Sequence, residues 1–460
     1  MLRIFDTAAR AKVEFVPRRA GHVAIYVCGP TVYDAPHVGH GRTAIAFDVI
    51  RRYFQWRGDT VTYVSNITDI EDKIIRRAHE RGTTEGELAR EYESAYWAQL
   101  DRVGVQRPDD MPHATQFVAQ MQRLIAELIL AGRAYVIEGQ GVYFEVATLP
   151  DYGALSHRRT EDLLEGAGAR VEVDDEKRSP LDFALWKAAK PGEPEWPSPW
   201  GPGRPGWHIE CSAMSLEILG EGFDIHGGGD DLVFPHHENE RAQAEGAGHV
   251  FARHWIHSGM VMVGKEKMSK SLGNFTNLSD ALDRHGPRAF RLLALQTHYR
   301  KQLEMGDKEL SDAGKAVDRL DALFRRARVA GVAEGNLGDI DGFRAAMDDD
   351  FDTPAALAFV FDLVRRANTA LDAGDTPAVA SLLATVRELA GSFGLEIDDG
   401  DRAVTSGTAS AADAEIDALV VARDEARARR DFAEADRVRD ELKTRGITLE
   451  DGPGGTTWHR

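Results

Sequence analysis

Val23-Ala24-Ile25-Tyr26-Val27 is a short apolar run, rich in β-branched residues, that stops at Cys28-Gly29-Pro30. A run bounded in this way predicts a buried parallel strand. After a loop carrying Pro36 and Gly39, Ile45, Val49, Tyr53 and Phe54 recur at helical spacing until Gly58, the pattern of a helix closed by glycine. Thr60 to Val64 is a second β-rich run. Strand, glycine loop, helix and strand compose a βαβ unit. Ligands bind beyond the carboxyl ends of such strands, so the segment from Cys28 to His40 is placed at that edge.

Further along, Phe117, Met121, Leu124 and Leu128 predict one helix over Ala114 to Leu130, followed by a hairpin around Gly139 to Gly141. The run Trp196-Pro197-Ser198-Pro199-Trp200-Gly201-Pro202-Gly203-Arg204-Pro205-Gly206-Trp207 predicts a stiff aromatic loop, since its prolines exclude helix and central strand. Phe223-Asp224-Ile225-His226 predicts a strand ending in Gly227-Gly228-Gly229. From about residue 290 onward the helical pattern takes over. Asp401 to Ala414 lacks large apolar residues and reads as a linker. The expected fold is α/β: a Rossmann-like parallel-sheet domain in two halves, 1–110 and 206–310, split by an insertion at 111–205. A helical bundle at 311–400, a linker at 401–412 and a small mixed α/β domain at 413–460 complete it.

Length supports this division, because 460 residues suit about three domains of ~150. Hydrophobic residues at 43% and charged residues at 28% are ordinary for a globular chain with a core. The first residues, Met1-Leu2-Arg3-Ile4-Phe5-Asp6, carry no apolar leader. No apolar run reaches the ~18 residues that span a bilayer, so no membrane is expected and the cytoplasm is the expected location. Two cysteines, Cys28 and Cys211, make no disulfide framework. The formal charge, 56 − 75 = −19, argues against indiscriminate coating of nucleic acid, but a local basic strip suffices for one specific RNA.

His37-Val38-Gly39-His40 opens the helix directly after the first strand. Free backbone N–H groups and the positive helix end make that an anion site. Gly39 to Ala44 also matches G-x-G-x-x-A, the dinucleotide fingerprint. That reading needs an acidic residue at the end of the second strand, whereas Asp59 precedes the strand. Well downstream lies a basic loop with hydroxyls, Lys267-Met268-Ser269-Lys270-Ser271-Leu272-Gly273-Asn274. The pair of motifs resembles the two signatures of class I aminoacyl-tRNA synthetases. The resemblance implies that His37, Gly39 and His40 grip ATP, taken with Mg²⁺. It also implies that Lys267 and Lys270 neutralise charge on the α-phosphate as pyrophosphate leaves.

A third signal lies in Pro235-His236-His237-Glu238-Asn239-Glu240. On a helix His236 and Glu240 stand i,i+4 and His237 and Glu240 stand i,i+3, and spacing alone allows either pair to share a metal. Cys28 at the first strand's end and Cys211 after the aromatic loop would complete a tetrahedral set of two thiolates, an imidazole and a carboxylate. With Cys28-Gly29-Pro30-Thr31 and Arg204 to Ser212, these motifs resemble the cysteinyl-tRNA synthetase family from near residue 1 to Trp458. The resemblance implies Zn²⁺ on Cys28, Cys211, His236 and Glu240, with the substrate thiol joining the metal. It implies Thr31, Thr68, Trp207 and Asp231 around the cysteinyl-adenylate, tRNA(Cys) as partner, and anticodon binding by the tail. The ligase that joins cysteine to glucosaminyl-inositol in mycothiol synthesis shares most of these motifs. It lacks the last zinc glutamate and the C-terminal RNA-binding region, and both are present here as Glu240 and residues past 400.

Overall fold

The computed structural model describes residues 1–160, 177–263, 266–267, 276–400, 411–452 and 455–459. Lys270 and most of the linker expected at 401–412 lie outside the described residues. The chain forms two compact units, residues 1–320 with 332–396, and residues 321–331 with 397–460.

In the first unit, β1 (Arg3–Asp6) and β2 (Ala11–Glu14) pair as an antiparallel hairpin that the sequence pattern did not predict. Then come β3 (His22–Val27), α1 (Val38–Trp56) and β4 (Thr60–Ser65), with β3 and β4 parallel as expected. Helices α2 (Asp72–Arg81) and α3 (Glu85–Arg102) follow.

The helix expected over Ala114 to Leu130 is in fact broken. Ala114–Gln116 forms one tight turn, Phe117 leaves the helical region at φ −112° and ψ 14°, and α4 runs Val118–Leu130. The cause is local competition. Asp69 takes both the N–H of Thr115 at 3.0 Å and its hydroxyl at 2.6 Å, while Ala114 N–H bonds to Ile67. These bonds tie the first turn to the loop after β4, and the longer helix begins afresh at Val118.

The insertion contributes a second, antiparallel sheet of β5 (Ala134–Ile137), β6 (Gly141–Phe144), β7 (Phe183–Ala188) and β8 (Gly203–Pro205) in that order. The aromatic run was expected to be loop throughout. Its Gly203–Pro205 segment instead forms β8, and Trp207 opens α5 (Trp207–Leu219). The proline there is tolerated because β8 is the edge strand of its sheet, paired with β7 and bridged on its other side to Trp196 at Gly203.

Strand β9 (Ile225–Gly229), α6 (Glu238–Gly246) and β10 (His254–Ser258) complete the parallel sheet, ordered β10-β9-β3-β4. The glycines thought to end β9 lie within it. A Cβ on Gly227 would run into the Phe47 ring of α1, so helix and strand approach only because that side chain is absent. Winding reverses between β3, which leads to β4, and β9, which leads to β10; this switch point is where such sheets hold ligands. Met121, Leu128, Phe144 and Trp186 of the insertion share one core with Tyr26, Cys211 and Trp255.

Beyond the sheet lie β11 (Val261–Val263), β12 (Glu266–Lys267) and β13 (Leu303–Glu304). Helices α7 (Leu278–His285), α8 (Pro287–Gln296), α9 (Asp307–Val329), α10 (Asp341–Asp348), α11 (Thr353–Asp372) and α12 (Thr376–Ser392) follow, as the helical pattern predicts. The second unit carries α13 (Ala411–Ala428), α14 (Phe432–Thr444) and a hairpin of β14 (Thr448–Gly452) and β15 (Gly455–His459). It closes on its own core of Ile416, Val420, Val438, Leu442 and Ile447.

Candidate active site and metal centre

Helix α1 begins at the carboxyl edge of β3 with His37 as its N-cap. The His37 Nδ1 accepts the N–H of Gly39 at 3.1 Å, and the His40 Nδ1 accepts that of His37 at 3.2 Å. With Nδ1 engaged as acceptor in both rings, Nε2 is the nitrogen left to present an N–H outward. The rings stack 3.8 Å apart, a rigid pair at a positive helix end suited to an anion.

This pair lines a cavity of about 600 Å³ at the switch point, together with Cys28, Thr31, Trp207 and Asp231. The sequence-nominated groups thus converge on one wall system, and the volume suits a small-molecule site. Thr68 stands one layer behind. Its backbone pairs with Thr31, and its hydroxyl donates to the fully buried Glu210 at 2.8 Å. Lys267 is placed by its backbone on β12, paired with Met262 of β11.

At the base of the cavity Cys28, Cys211, His236 and Glu240 are all buried, and their ligand atoms lie within 4.8 Å of one another, so they could hold a metal ion. Glu240 Oε1 is 3.1 Å from His236 Nε2 and 3.4 Å from Cys28 Sγ. Cys28, His226, His237 and Glu240 meet the same distance criterion. The i,i+4 and i,i+3 alternatives therefore both survive in three dimensions, sharing Cys28 and Glu240.

Around the first set, His208 Nδ1 lies 2.9 Å from His236 Nδ1, and the Trp207 ring stacks on His236 at 4.1 Å. Asn66 Oδ1 lies 3.6 Å from Cys211 Sγ and accepts the Gly29 N–H at 2.9 Å. Such contacts orient ligands. The sequence reading missed His226, His208 and Asn66 as parts of this centre. The one signal for His226 was its place next to the glycine run at the ligand-binding edge of a predicted strand.

Burial pushes the Cys28 thiol well up, reinforced by Cys211 and Glu240, and burial likewise raises Cys211 and Glu240. Burial drives the His236 imidazole well down, towards the neutral form. Two thiols and a carboxyl that resist ionising, beside a neutral imidazole, fit a divalent cation. Such a charge reverses the penalty on each anion and uses an unprotonated nitrogen.

Fold and site together define a class I aminoacyl-tRNA synthetase. The family model for "tRNA synthetases class I (C) catalytic domain" matches residues 14–315, "DALR domain" matches 342–398, and "Cysteinyl-tRNA ligase anticodon binding domain" matches 409–458. The chain is 52% identical over 466 residues to the cysteine--tRNA ligase of Alkalilimnicola ehrlichii, with all of both chains covered. It is 50% identical over 461 residues to that of Halorhodospira halophila, again covering all of both. Among solved structures it resembles Mycobacterium tuberculosis methionyl-tRNA synthetase in complex with methionyl-adenylate. That match has a TM-score of 0.59 at 16% identity, covering 81% of this chain and 89% of the other. It also resembles LeuRS in the ternary complex from Agrobacterium radiobacter K84, with a TM-score of 0.61 at 12% identity and coverage of 83% and 85%. The chain belongs to the cysteine--tRNA ligase family.

Proposed function

We propose that this chain is a working cysteine--tRNA ligase. It activates L-cysteine with ATP to cysteinyl-adenylate and transfers cysteine to tRNA(Cys). In the first step a carboxylate oxygen of cysteine bonds to the α-phosphorus, the bond to the β-phosphate oxygen breaks, and pyrophosphate leaves. In the second, a terminal ribose hydroxyl of the tRNA bonds to the acyl carbon and the acyl–phosphate bond breaks. The hydroxyl proton is released and AMP departs.

The observation that carries this reading is the cluster of four buried potential ligands, of which Cys28 lines the cavity that also holds the histidine pair of α1. His37 and His40 donate Nε2–H to phosphate oxygens, and Gly39 lets the nucleotide approach the helix start. Lys267 and Lys270 act on the charge that develops at the α-phosphate. Thr31, Trp207 and Asp231 line the pocket for the aminoacyl-adenylate, and Thr68 braces Thr31 from behind.

Cys28, Cys211, His236 and Glu240 would hold zinc. A zinc ion held there would supply a charge that favours the substrate's side chain as a thiolate, a form that serine's hydroxyl does not reach at neutral pH. Size alone separates such near-isosteres by only ~10–200-fold. Residues 413–460 read the anticodon, a role supported by the domain matched at 409–458. The reading sets the enzyme in the cytoplasm. No helix among the described residues is long and apolar enough to cross a membrane.

Metal analysis with ATP–pyrophosphate exchange tests the proposal. One zinc per chain is expected, with exchange favouring cysteine over serine by more than the ~200-fold that size supplies. Cys28→Ser should abolish cysteine-dependent exchange while the circular dichroism spectrum stays native. Full activity without zinc would remove the metal from the reading. Cysteine transfer to glucosaminyl-inositol, with none to tRNA, would replace the ligase reading.

A further inference from the structure

The cavity at the switch point has to accept an amino acid that carries a carboxylate. Among its described lining residues only one is a lysine or an arginine, and that residue is Lys73. Lys73 has no part in the steps derived above. The acids on the same lining are Asp34 and Asp231.

Lys73 lies in the first turn of α2, where the Glu71 side chain caps the helix by accepting the Lys73 N–H at 2.7 Å. Its neighbour Asp72 is already bound to Lys187 at 2.6 Å and to Arg204, both from the insertion. The start of α2 is thus tied to β7 and β8. Among the described residues the Lys73 ammonium pairs with no carboxylate. It lies instead over the Tyr33 ring at 5.6 Å and the Trp207 ring at 6.0 Å. Both rings line the cavity, and Trp207 also stacks on His236 of the metal set at 4.1 Å. A lysine resting on ring faces keeps its charge and its three donors for another group.

We propose that Lys73 binds the α-carboxylate of the cysteine substrate and holds the oxygen that does not attack. This role deepens the ligase reading above and rests on it. Cysteine brings a thiol, an ammonium and a carboxylate only a few bonds apart. The buried cluster suits the thiol, Asp231 suits the ammonium, and Lys73 supplies the charge that the carboxylate needs. An ammonium acts as a point charge, so it can hold one carboxylate oxygen and leave the other free to bond to the α-phosphorus. As that bond forms, the bond to the β-phosphate oxygen breaks and pyrophosphate leaves with its electron pair. The held oxygen becomes a carbonyl oxygen and loses its charge. The ion pair is therefore strongest before the reaction, and Lys73 acts on the affinity for cysteine more than on the chemical step.

The test uses the full-length enzyme with Lys73→Met, which keeps an apolar stem and removes the charge, and Lys73→Arg, which restores a cation. Pyrophosphate exchange gives kcat and KM for cysteine and the KM for ATP. L-Cysteinamide, which keeps the thiol and the ammonium but has no carboxylate, is measured as a competitive inhibitor. In Lys73→Met the KM for cysteine is expected to rise about tenfold. That is the low end for a hydrogen bond to a charged group, because Lys73 is exposed. The kcat and the KM for ATP should stay close to those of the unsubstituted enzyme, and inhibition by cysteinamide should not change. Lys73→Arg should recover most of the loss. Equal weakening of cysteine and cysteinamide would show that Lys73 only holds Trp207 in place, and would overturn the role. So would a loss confined to the KM for ATP, or an unchanged KM for cysteine. No cysteine-dependent exchange by the unsubstituted enzyme would instead overturn the ligase reading, and this role with it.

Discussion

Cys28 reaches the candidate metal cluster only because the residue after it has no side chain. A Cβ on Gly29 would lie 1.7 Å from the carbonyl oxygen of Asn66. Asn66 cannot simply yield, since its side chain accepts from the Gly29 N–H and approaches the Cys211 thiol. Gly29→Ala should therefore separate the two cysteines and cost about 1–3 kcal/mol of stability, the usual scale of overpacking. The expected result is protein that folds at a lower Tm, carries less than one zinc and has lost cysteine activation. A fully loaded, fully active Gly29→Ala enzyme would remove this role.

Local chemistry of this kind was only partly legible in the sequence. The anion loop at His37 to His40 could be read because a helix start advertises itself within a few residues. The orientation of Thr68 could not, because it depends on Glu210, which folding alone brings beside it.

Between elements, the buried pair of Asp48 on α1 and Arg291 on α8 ties the two helices together. Arg291 also reaches Phe393 at 2.7 Å, beyond the end of α12. Burial by itself would raise the Asp48 carboxyl. Arg291, Arg52 and the Gln106 N–H more than offset that and hold it below the usual carboxylate range. A group depressed in this way contributes stability that is fully present above its unfolded pKa of ~3.9 and is lost as pH falls through the folded value. Asp48→Asn should cost about 3–5 kcal/mol at neutral pH, because it leaves Arg291 buried without its charge partner. Denaturant titrations should show the gap between the two proteins narrowing as the pH drops below ~4. A gap constant with pH would mean that Asp48 is not ionised in the fold.

Element types followed from periodicity, while their ends did not. The helix predicted from Ala114 breaks at Phe117 because Asp69 captures Thr115. Strand β9 runs through glycines because Phe47 packs on one of them. Both decisions belong to residues distant in sequence.

At the scale of the molecule, an acidic chain must still hold an anionic RNA. The formal charge of −19 makes a local cationic surface necessary. Arg427, Arg429, Arg430, Arg437 and Arg439 are concentrated in α13, α14 and the turn between them, with Asp and Glu interspersed. Arg437, for one, is paired with Glu434 and Glu441. A chain ending near residue 400 keeps the whole candidate site of the first unit. It should make cysteinyl-adenylate at close to the full rate and charge tRNA poorly. Measured side by side, tRNA binding by the intact enzyme should weaken steeply with salt, whereas adenylate formation should not. Full charging by the shortened chain would show the tail to be dispensable.

By itself the sequence determined what short-range physics can specify. It set the βαβ start, the histidine loop proposed to hold phosphate at the head of α1, the helical dominance beyond the sheet, and the residue types able to hold a metal. It also supplied the full-length likeness that names the family. The tertiary structure decided what depends on distant partners. It brought Cys28 to Glu240 across 212 positions and left both histidine sets around that carboxylate. It turned the Thr68 hydroxyl to the buried Glu210. Periodicity repeats over a few residues and can be read from the chain. A cavity wall is the meeting of segments far apart, and only the packed core fixes which atoms face each other there.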